Sequence, residues 1–267
     1  MDTTMIITIV ITGVSTAITL IALFLFYEEH WDRFLLSLKG GLPEGFLIFI
    51  TGTNGVGKTT ISSRLARKLG ITSVVEVTEL RSALRSRMDL FKEAGKIEEY
   101  EQLKESSFML DEFSEDYNNK ENYDYQCEIM TKTIVFEAKR KQTQKHRHNI
   151  GSIFEGINII PSKLLREGIP TQYILFVNLK VKPPTLLQER LFMKTSNVEQ
   201  LKRYEENLPK ILATSTYIDH DFITIGNTHP KIRQITVYNN KSANKTVRLI
   251  AKEVRSICKM SSARRKG

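Results

Sequence analysis

The sequence predicts an α/β domain behind an N-terminal apolar helix. Three observations carry this expectation. A strand-like apolar run breaks into a glycine-rich loop and resumes as a helix at residues 46–61. Beyond it, short β-branched runs alternate with charged helical patterns, the order expected of an α/β sheet. Ahead of it, residues 4–27 form an uninterrupted uncharged stretch. The chain has 267 residues. With the first forty or so set apart, about 220 remain, enough for one domain with a sizeable core.

Residues 46–50 (FLIFI) read as a buried strand. The loop that follows is Gly52, Thr53, Asn54, Gly55, Val56, Gly57, Lys58 and Thr59, with Thr60 behind them, a full G-x-x-x-x-G-K-[ST] match. Glycines let the backbone curl so that successive N–H groups converge on a phosphate chain. The N-terminus of the following helix adds partial positive charge at the same place. Lys58 is then placed to reach the β- and γ-phosphates as a catalytic cation, and the Thr59 hydroxyl to ligate Mg²⁺. A chance glycine turn capping a helix is the alternative. The strand before the loop and the helix after it count against that.

Net charge is +9 and the isoelectric point about 9.4. Such a balance suits phosphate-rich ligands, anionic lipid or nucleic acid. No face combining aromatic and basic side chains is readable, so no nucleic-acid partner is expected. Cys127 and Cys258 form no C-x-x-C pair and no cluster with histidine, and read as reduced, structural thiols.

The stretch at 4–27 is long enough for a bilayer core, which takes about 20 apolar residues as a helix. A cleaved signal peptide would carry a basic start, a shorter apolar core and a small-residue cleavage site. Here only Asp2 is charged before the run, which ends in Phe24-Leu25-Phe26-Tyr27. The reading is an uncleaved single-pass anchor. Arg33 and Lys39 follow it and no Lys or Arg precedes it, which places the remaining domain on the cytoplasmic side. Tyr27 and Trp31 are candidate interfacial anchors. Residues 28–44 read as a juxtamembrane linker hinged at Gly40-Gly41, residues 45–259 as the domain, and 260–267 as a disordered basic tail.

Within the domain, 59–69 has helical spacing and Gly70 stops it. Residues 73–77 read as the second strand. Glu79, Arg81 and Arg85 follow at its carboxyl end, where ligands of open α/β sheets bind. Glu79 fits equally a substrate contact and an acid that complements a helix dipole. A charged helix over 88–114, a polar turn at 118–125 and a helix over 126–145 come next. His146 and His148 have H-x-H spacing with no third ligand, so a solvated basic helix end outweighs a metal site. The strand at 149–154 ends in Glu155-Gly156. An acid at a strand tip beside a phosphate loop is placed to hold Mg²⁺ or its water. After a strand at 173–179, helices at 185–194 and 198–217 read as a lid that excludes water from transfer. Arg190 is its best single candidate for neutralising transferred charge. Residues 221–225 read as the last strand and 242–258 as a closing helix.

Taken together, GTNGVGKTT (52–60), VVEVTELRSALR (74–85), ESSF (105–108), IFEGINIIP (153–161), QERLF (188–192), KRYEENLPKI (202–211) and IDHDFITIGN (218–227) resemble the 2-phosphoglycerate kinase family of P-loop kinases. The resemblance covers nearly all of the chain after residue 45. It implies a five-stranded parallel sheet with helices on both faces and a helical lid. It implies ATP and Mg²⁺ as cofactors and transfer of the γ-phosphate to the hydroxyl of a small phosphorylated acid. Lys58 and Thr59 would then serve the nucleotide and Glu155 the metal or its water. Arg81 and Arg85 would face the acceptor, and Arg190 and Arg203 the transferred phosphate. One position departs from the pattern. Thr78 stands where related kinases tend to carry an aspartate after the second strand, the natural base or hydroxyl-orienting group. This keeps two other expectations open: a different hydroxyl acceptor, or a nucleotide-binding membrane scaffold with vestigial transfer. An ATPase of transport or remodelling type fits less well, because the lid-like insert has no place in it.

Overall fold

The computed structural model of the chain describes residues 42–86, 120–143, 151–193, 197–240 and 242–264, together with Thr19. The expected anchor at 4–27 (Thr19 aside), most of the linker at 28–44, the ESSF segment at 105–108 and the two histidines at 146 and 148 lie outside the described residues. Among the described residues, no helix is long and apolar enough to cross a membrane.

Five parallel strands run in the order β2-β3-β1-β4-β5. They are β1 Leu47–Thr51, β2 Ser73–Glu76, β3 Ser152–Glu155, β4 Ile174–Lys180 and β5 Arg233–Tyr238. The three central strands, β3, β1 and β4, are buried almost throughout because helices cover both of their faces. The helices are α1 Lys58–Leu69, α2 Val77–Ser86, α3 Lys120–Thr143, α4 Pro161–Arg166, α5 Pro184–Phe192, α6 Val198–Thr228 and α7 Ala243–Arg264.

Alternation along the strands sorts the core into two layers. Ile48, Ile50, Ile153, Leu175, Val177 and Leu179 pack with Ile61 and Leu65 of α1, Leu187 and Leu191 of α5, and Ile250 and Val254 of α7. On the other face, Phe49 sits in register with Phe154 of β3 and Phe176 of β4. Its ring centroid lies 5.1 Å from the first and 5.4 Å from the second. This aromatic row packs against Met130 and Ile134 of α3, Leu164 of α4, and Ile218 and Phe222 of α6. Cys127 and Cys258 are free and buried, and burial pushes their thiols up to about 12 and about 11, which leaves them protonated and inert.

Gly70 ends α1 as expected, in the left-handed conformation that a side chain resists (φ 72°). Ile71 N–H then closes the turn on the Ala66 carbonyl at 2.9 Å. Other expectations are corrected. The second strand stops at Glu76, and Val77 opens α2. Residues 120–125 belong to helix α3 and not to a turn. The closing helix continues to Arg264, into the segment read as a tail.

The largest correction concerns 221–225, which lies inside α6, while the last strand is Arg233–Tyr238. Asp221-Phe222-Ile223-Thr224-Ile225 has strand-like composition, but its burial follows the helical period. Ile218, Phe222 and Ile225 are at most 5% exposed, whereas Ile223 is 64% exposed. The true strand is an edge of the sheet, mostly exposed or half-buried, so its apolar signal is weak.

Outside the sheet, a charged network ties α3 to α4. Lys163 Nζ lies 3.0 Å from both Asp124 and Glu128, and Arg166 also pairs with Glu128. Burial alone would lower Lys163, but its bonds to Glu128 and Asp124 outweigh that and raise it. For Asp124, burial works upward and is outweighed by the Tyr217 and Lys163 hydrogen bonds. For Glu128 the opposing bonds come from Lys163 and Arg166, so both acids sit below the usual carboxylate range. Their stabilising contribution is therefore present above that range and lost as pH falls through it. Lys163→Ala is expected to cost about 2 kcal/mol at neutral pH, because it leaves two partly exposed carboxylates without their cation. The loss should shrink in acid, and urea denaturation at two pH values checks both statements.

Candidate active site

The order of the sheet places β1 between β3 and β4, so the loop leaving β1 emerges in the middle of the carboxyl edge. This is the switch point at which open α/β sheets bind ligands. The glycine loop fills it. Gly55 takes φ 80°, and a Cβ there would meet Leu191 and Leu187 of α5 at 2.9 and 3.0 Å. Glycine thus lets the loop both curl and lie flat on α5. Val56 is buried behind the loop. Lys58 Nζ donates to the Thr53 carbonyl at 3.0 Å, so the lysine lies back across the arch it closes.

Thr59 stands in the first turn of α1, and its hydroxyl donates to Glu155 Oε1 at 2.7 Å across 96 residues of sequence. The register explains the meeting: Glu155 is the last residue of β3, opposite Ile50 of β1. Glu155 is only 4% exposed. Two hard oxygen donors from adjacent elements fit a Mg²⁺ ion, which takes one or two protein oxygens and completes its shell with water and phosphate. Among the described residues no cluster of three or more His, Cys, Asp or Glu could hold a metal. The donor set suits a shared, phosphate-completed cation rather than a cage.

The sequence missed a second acid. Glu76 ends β2 in register with Glu155, so the two carboxylates project from neighbouring strands on one face. Burial first, then the charges on Glu155 and Glu79, hold the Glu76 carboxyl above its usual range. The signal was available in its place at a strand tip, one position from the expected strand end.

The helix that follows β2, α2, carries Arg81, which is 5% exposed. Its Nη1 donates to Gln126 of α3 at 3.4 Å, and its buried Nε has no partner. A buried guanidinium with an unused donor is suited to an anionic group. Tyr123 of α3 fixes the adjoining loop after β3 by donating to the Ile157 carbonyl at 2.7 Å. Glu79 and Thr78 are exposed in the first turn of α2, where an acid complements the dipole. Arg85 lies in α2 and Arg203 in α6, with side chains outside what the structure describes. Arg190 of α5 is half-buried, and its Nη2 donates to the Asn240 carbonyl at 3.3 Å. The structure thus brings Lys58, Thr59 and Glu155 together, buries Arg81 in the helix that follows β2, and turns Arg190 toward the loop after β5.

Strand, glycine arch, lysine and threonine at a helix start, and an acid at the tip of the adjacent strand define a phosphate-loop nucleotide-binding domain. A protein-family model described as an AAA domain matches residues 48–207, and the chain belongs to that family. The chain is also similar in sequence to curated 2-phosphoglycerate kinases. It is 24% identical over 198 residues to a 2-phosphoglycerate kinase of Methanococcus vannielii, a match covering 72% of this chain and 61% of that protein. It is also 24% identical over 174 residues to a 2-phosphoglycerate kinase of Thermococcus kodakarensis, covering 64% and 56%. The chain thus spans about three fifths of the length of these relatives. Among solved structures, a gluconokinase from Sinorhizobium meliloti superposes with a TM-score of 0.44 at 13% identity, covering 83% of this chain and 98% of that one.

The Glu76–Glu155 juxtaposition yields a stability prediction. A carboxyl held above its usual range destabilises the fold wherever it is ionised, and the penalty disappears as pH falls below the unfolded value. Glu76→Gln is expected to raise the melting temperature at pH 7 and to leave it unchanged near pH 4. A variant no more stable at pH 7 would show that Glu76 is not strained by its neighbours.

Proposed function

We propose that this protein is an ATP-dependent kinase that transfers the γ-phosphate to a hydroxyl of a small phosphorylated acid similar to 2-phosphoglycerate. The observation that carries the reading is the 2.7 Å bond between Thr59 and Glu155, which joins the phosphate loop to the strand-tip acid. In phosphoryl transfer the protein does little covalent chemistry; positioning and charge neutralisation supply the rate. The curled loop would hold the β- and γ-phosphates by its N–H groups, and Lys58 would swing from the Thr53 carbonyl to reach them. Thr59 and Glu155 would hold Mg²⁺, whose charge offsets that of the phosphates when bound. Arg81, with its unused buried donor, would take the acidic part of the acceptor. The α5 and α6 helices would close over the reacting groups, with Arg190 carried toward the phosphates.

The apolar run at 4–27 and the following Arg33 and Lys39 support a single-pass anchor with the kinase domain on the cytoplasmic side. A second reading rests on Thr78, which is exposed in the first turn of α2 and replaces the expected aspartate. In that reading ATP binding switches partner contacts and transfer is vestigial.

Labelled ATP with Mg²⁺ and a panel of hydroxyl acceptors, 2-phosphoglycerate among them, separates the two. Label is expected in a phosphorylated acid, and Lys58→Ala should abolish it. Retained ATP binding without label in any acceptor would favour the scaffold. Glu155→Gln is expected to lower turnover by about a hundredfold while changing stability little. Parallel losses in turnover and melting temperature would instead make Glu155 a structural residue.

A further inference from the structure

The loop after β5 makes a set of contacts that the sequence reading did not anticipate. Asn239 is 6% exposed, and both the nitrogen and the oxygen of its side-chain amide are hydrogen-bonded. Its Nδ2 donates to the Val56 carbonyl of the phosphate loop at 2.9 Å. Its Oδ1 accepts from the Thr246 hydroxyl of α7 at 3.1 Å. Its backbone N–H donates to the Lys180 carbonyl at the end of β4 at 2.8 Å. A carbonyl can only accept, so the amide must present its NH₂ to Val56, and the hydroxyl then serves the remaining oxygen. The amide also lies directly against Gly57, which takes φ 91°; a Cβ there would come within 2.8 Å of Asn239 Nδ2. A side chain at Gly57 would be strained by that backbone conformation and would have to displace the amide.

The Val56 carbonyl and the Gly57 N–H belong to one peptide unit. That unit is planar and trans, so its C=O and N–H point in opposite directions. Holding the carbonyl on Asn239 therefore sends the Gly57 N–H away from Asn239. We propose that Asn239 is a positioning residue for the phosphate loop: by anchoring the Val56 carbonyl it orients the Gly57 N–H toward a bound phosphate. The inference rests on the reading that this loop holds nucleotide phosphates. It goes beyond that reading by assigning the loop's conformation to an asparagine 183 residues away in sequence. The neighbouring Asn240 accepts from Arg190 through its carbonyl and from the Lys182 N–H through its side chain. The same dipeptide therefore braces the arch and the helix that carries Arg190.

The test uses binding by the full-length chain with Mg²⁺, measured by calorimetry for ADP and AMP, so that no acceptor is needed. Asn239→Asp keeps the size but opposes a carboxylate oxygen to the Val56 carbonyl. It is expected to reduce ADP affinity about tenfold and AMP affinity much less, because the loop grips the terminal phosphate. Asn239→Ala, which adds no charge, is measured alongside and should show the same selective loss. Thr246→Val removes the other bond of the same amide, and should lower the melting temperature while leaving the ADP-to-AMP affinity ratio within about twofold of wild type. ADP affinity unchanged in both Asn239 variants overturns the proposal, as does an equal loss for ADP and AMP that tracks melting temperature. Wild-type protein that binds no ADP would instead overturn the nucleotide reading itself.

Discussion

The register between β1 and β3 is the constraint on which the site depends. Parallel pairing sets Ile50 opposite Glu155 at the carboxyl edge. Thr59, at the start of the helix after the glycine arch, then falls within hydrogen-bond reach of that acid. A slip of one residue would send Glu155 to the opposite face of the sheet and leave Thr59 without it. The aromatic row of Phe154, Phe49 and Phe176 resists such a slip, because each ring meets its neighbour only in this register. Packing on one face of the sheet thus secures chemistry on the other.

The phosphate arch is held from outside as well as from its own sequence. Leu187 and Leu191 of α5 press on Gly55, and Asn239 anchors Val56. These supports come from segments more than a hundred residues further along the chain. A loop meant to bind phosphate must keep its N–H groups turned inward with no ligand present, and curled backbone has few internal hydrogen bonds with which to do so. External bonds to the carbonyls, on the outer side, supply what the loop lacks.

Around the arch, charge is distributed unevenly. Glu76 and Glu155 stand side by side at the tips of β2 and β3, and the first is held above its usual range by burial and by its neighbours. Such a pair favours a cation between or beside it. Arg81, buried in the helix that follows β2 and bonded to Gln126 of α3 with an unused Nε, offers the opposite sign. On the proposed reading, Arg81 would face an anionic acceptor and the acids the metal-bound phosphates. The acid at Glu76 lies two residues before Thr78, so the departure at that position does not leave this strand end without a carboxylate.

Much of this was legible from the chain alone, where a signal is local. The glycine arch with Lys58 and Thr59, the stop at Gly70 and the acid ending the third strand each depend on a few consecutive residues. What backbone conformation they need is written in their own chemistry. Residues 221–225 show where local reading ends. Their β-branched composition fits a strand, yet burial of Ile218, Phe222 and Ile225 on one side makes them helix, and the exposed edge strand at Arg233–Tyr238 took the place expected of them. With that strand displaced, Asn239 had no readable role. The sequence by itself determined that there is a phosphate loop, which residues form it and what class of ligand it suits, because the motif is contiguous. Only the tertiary structure decided that Glu76 adjoins Glu155, that Arg81 is buried with a donor to spare, and that Asn239 braces the arch. Each of these depends on strand order and register, which arise from packing between segments distant in sequence.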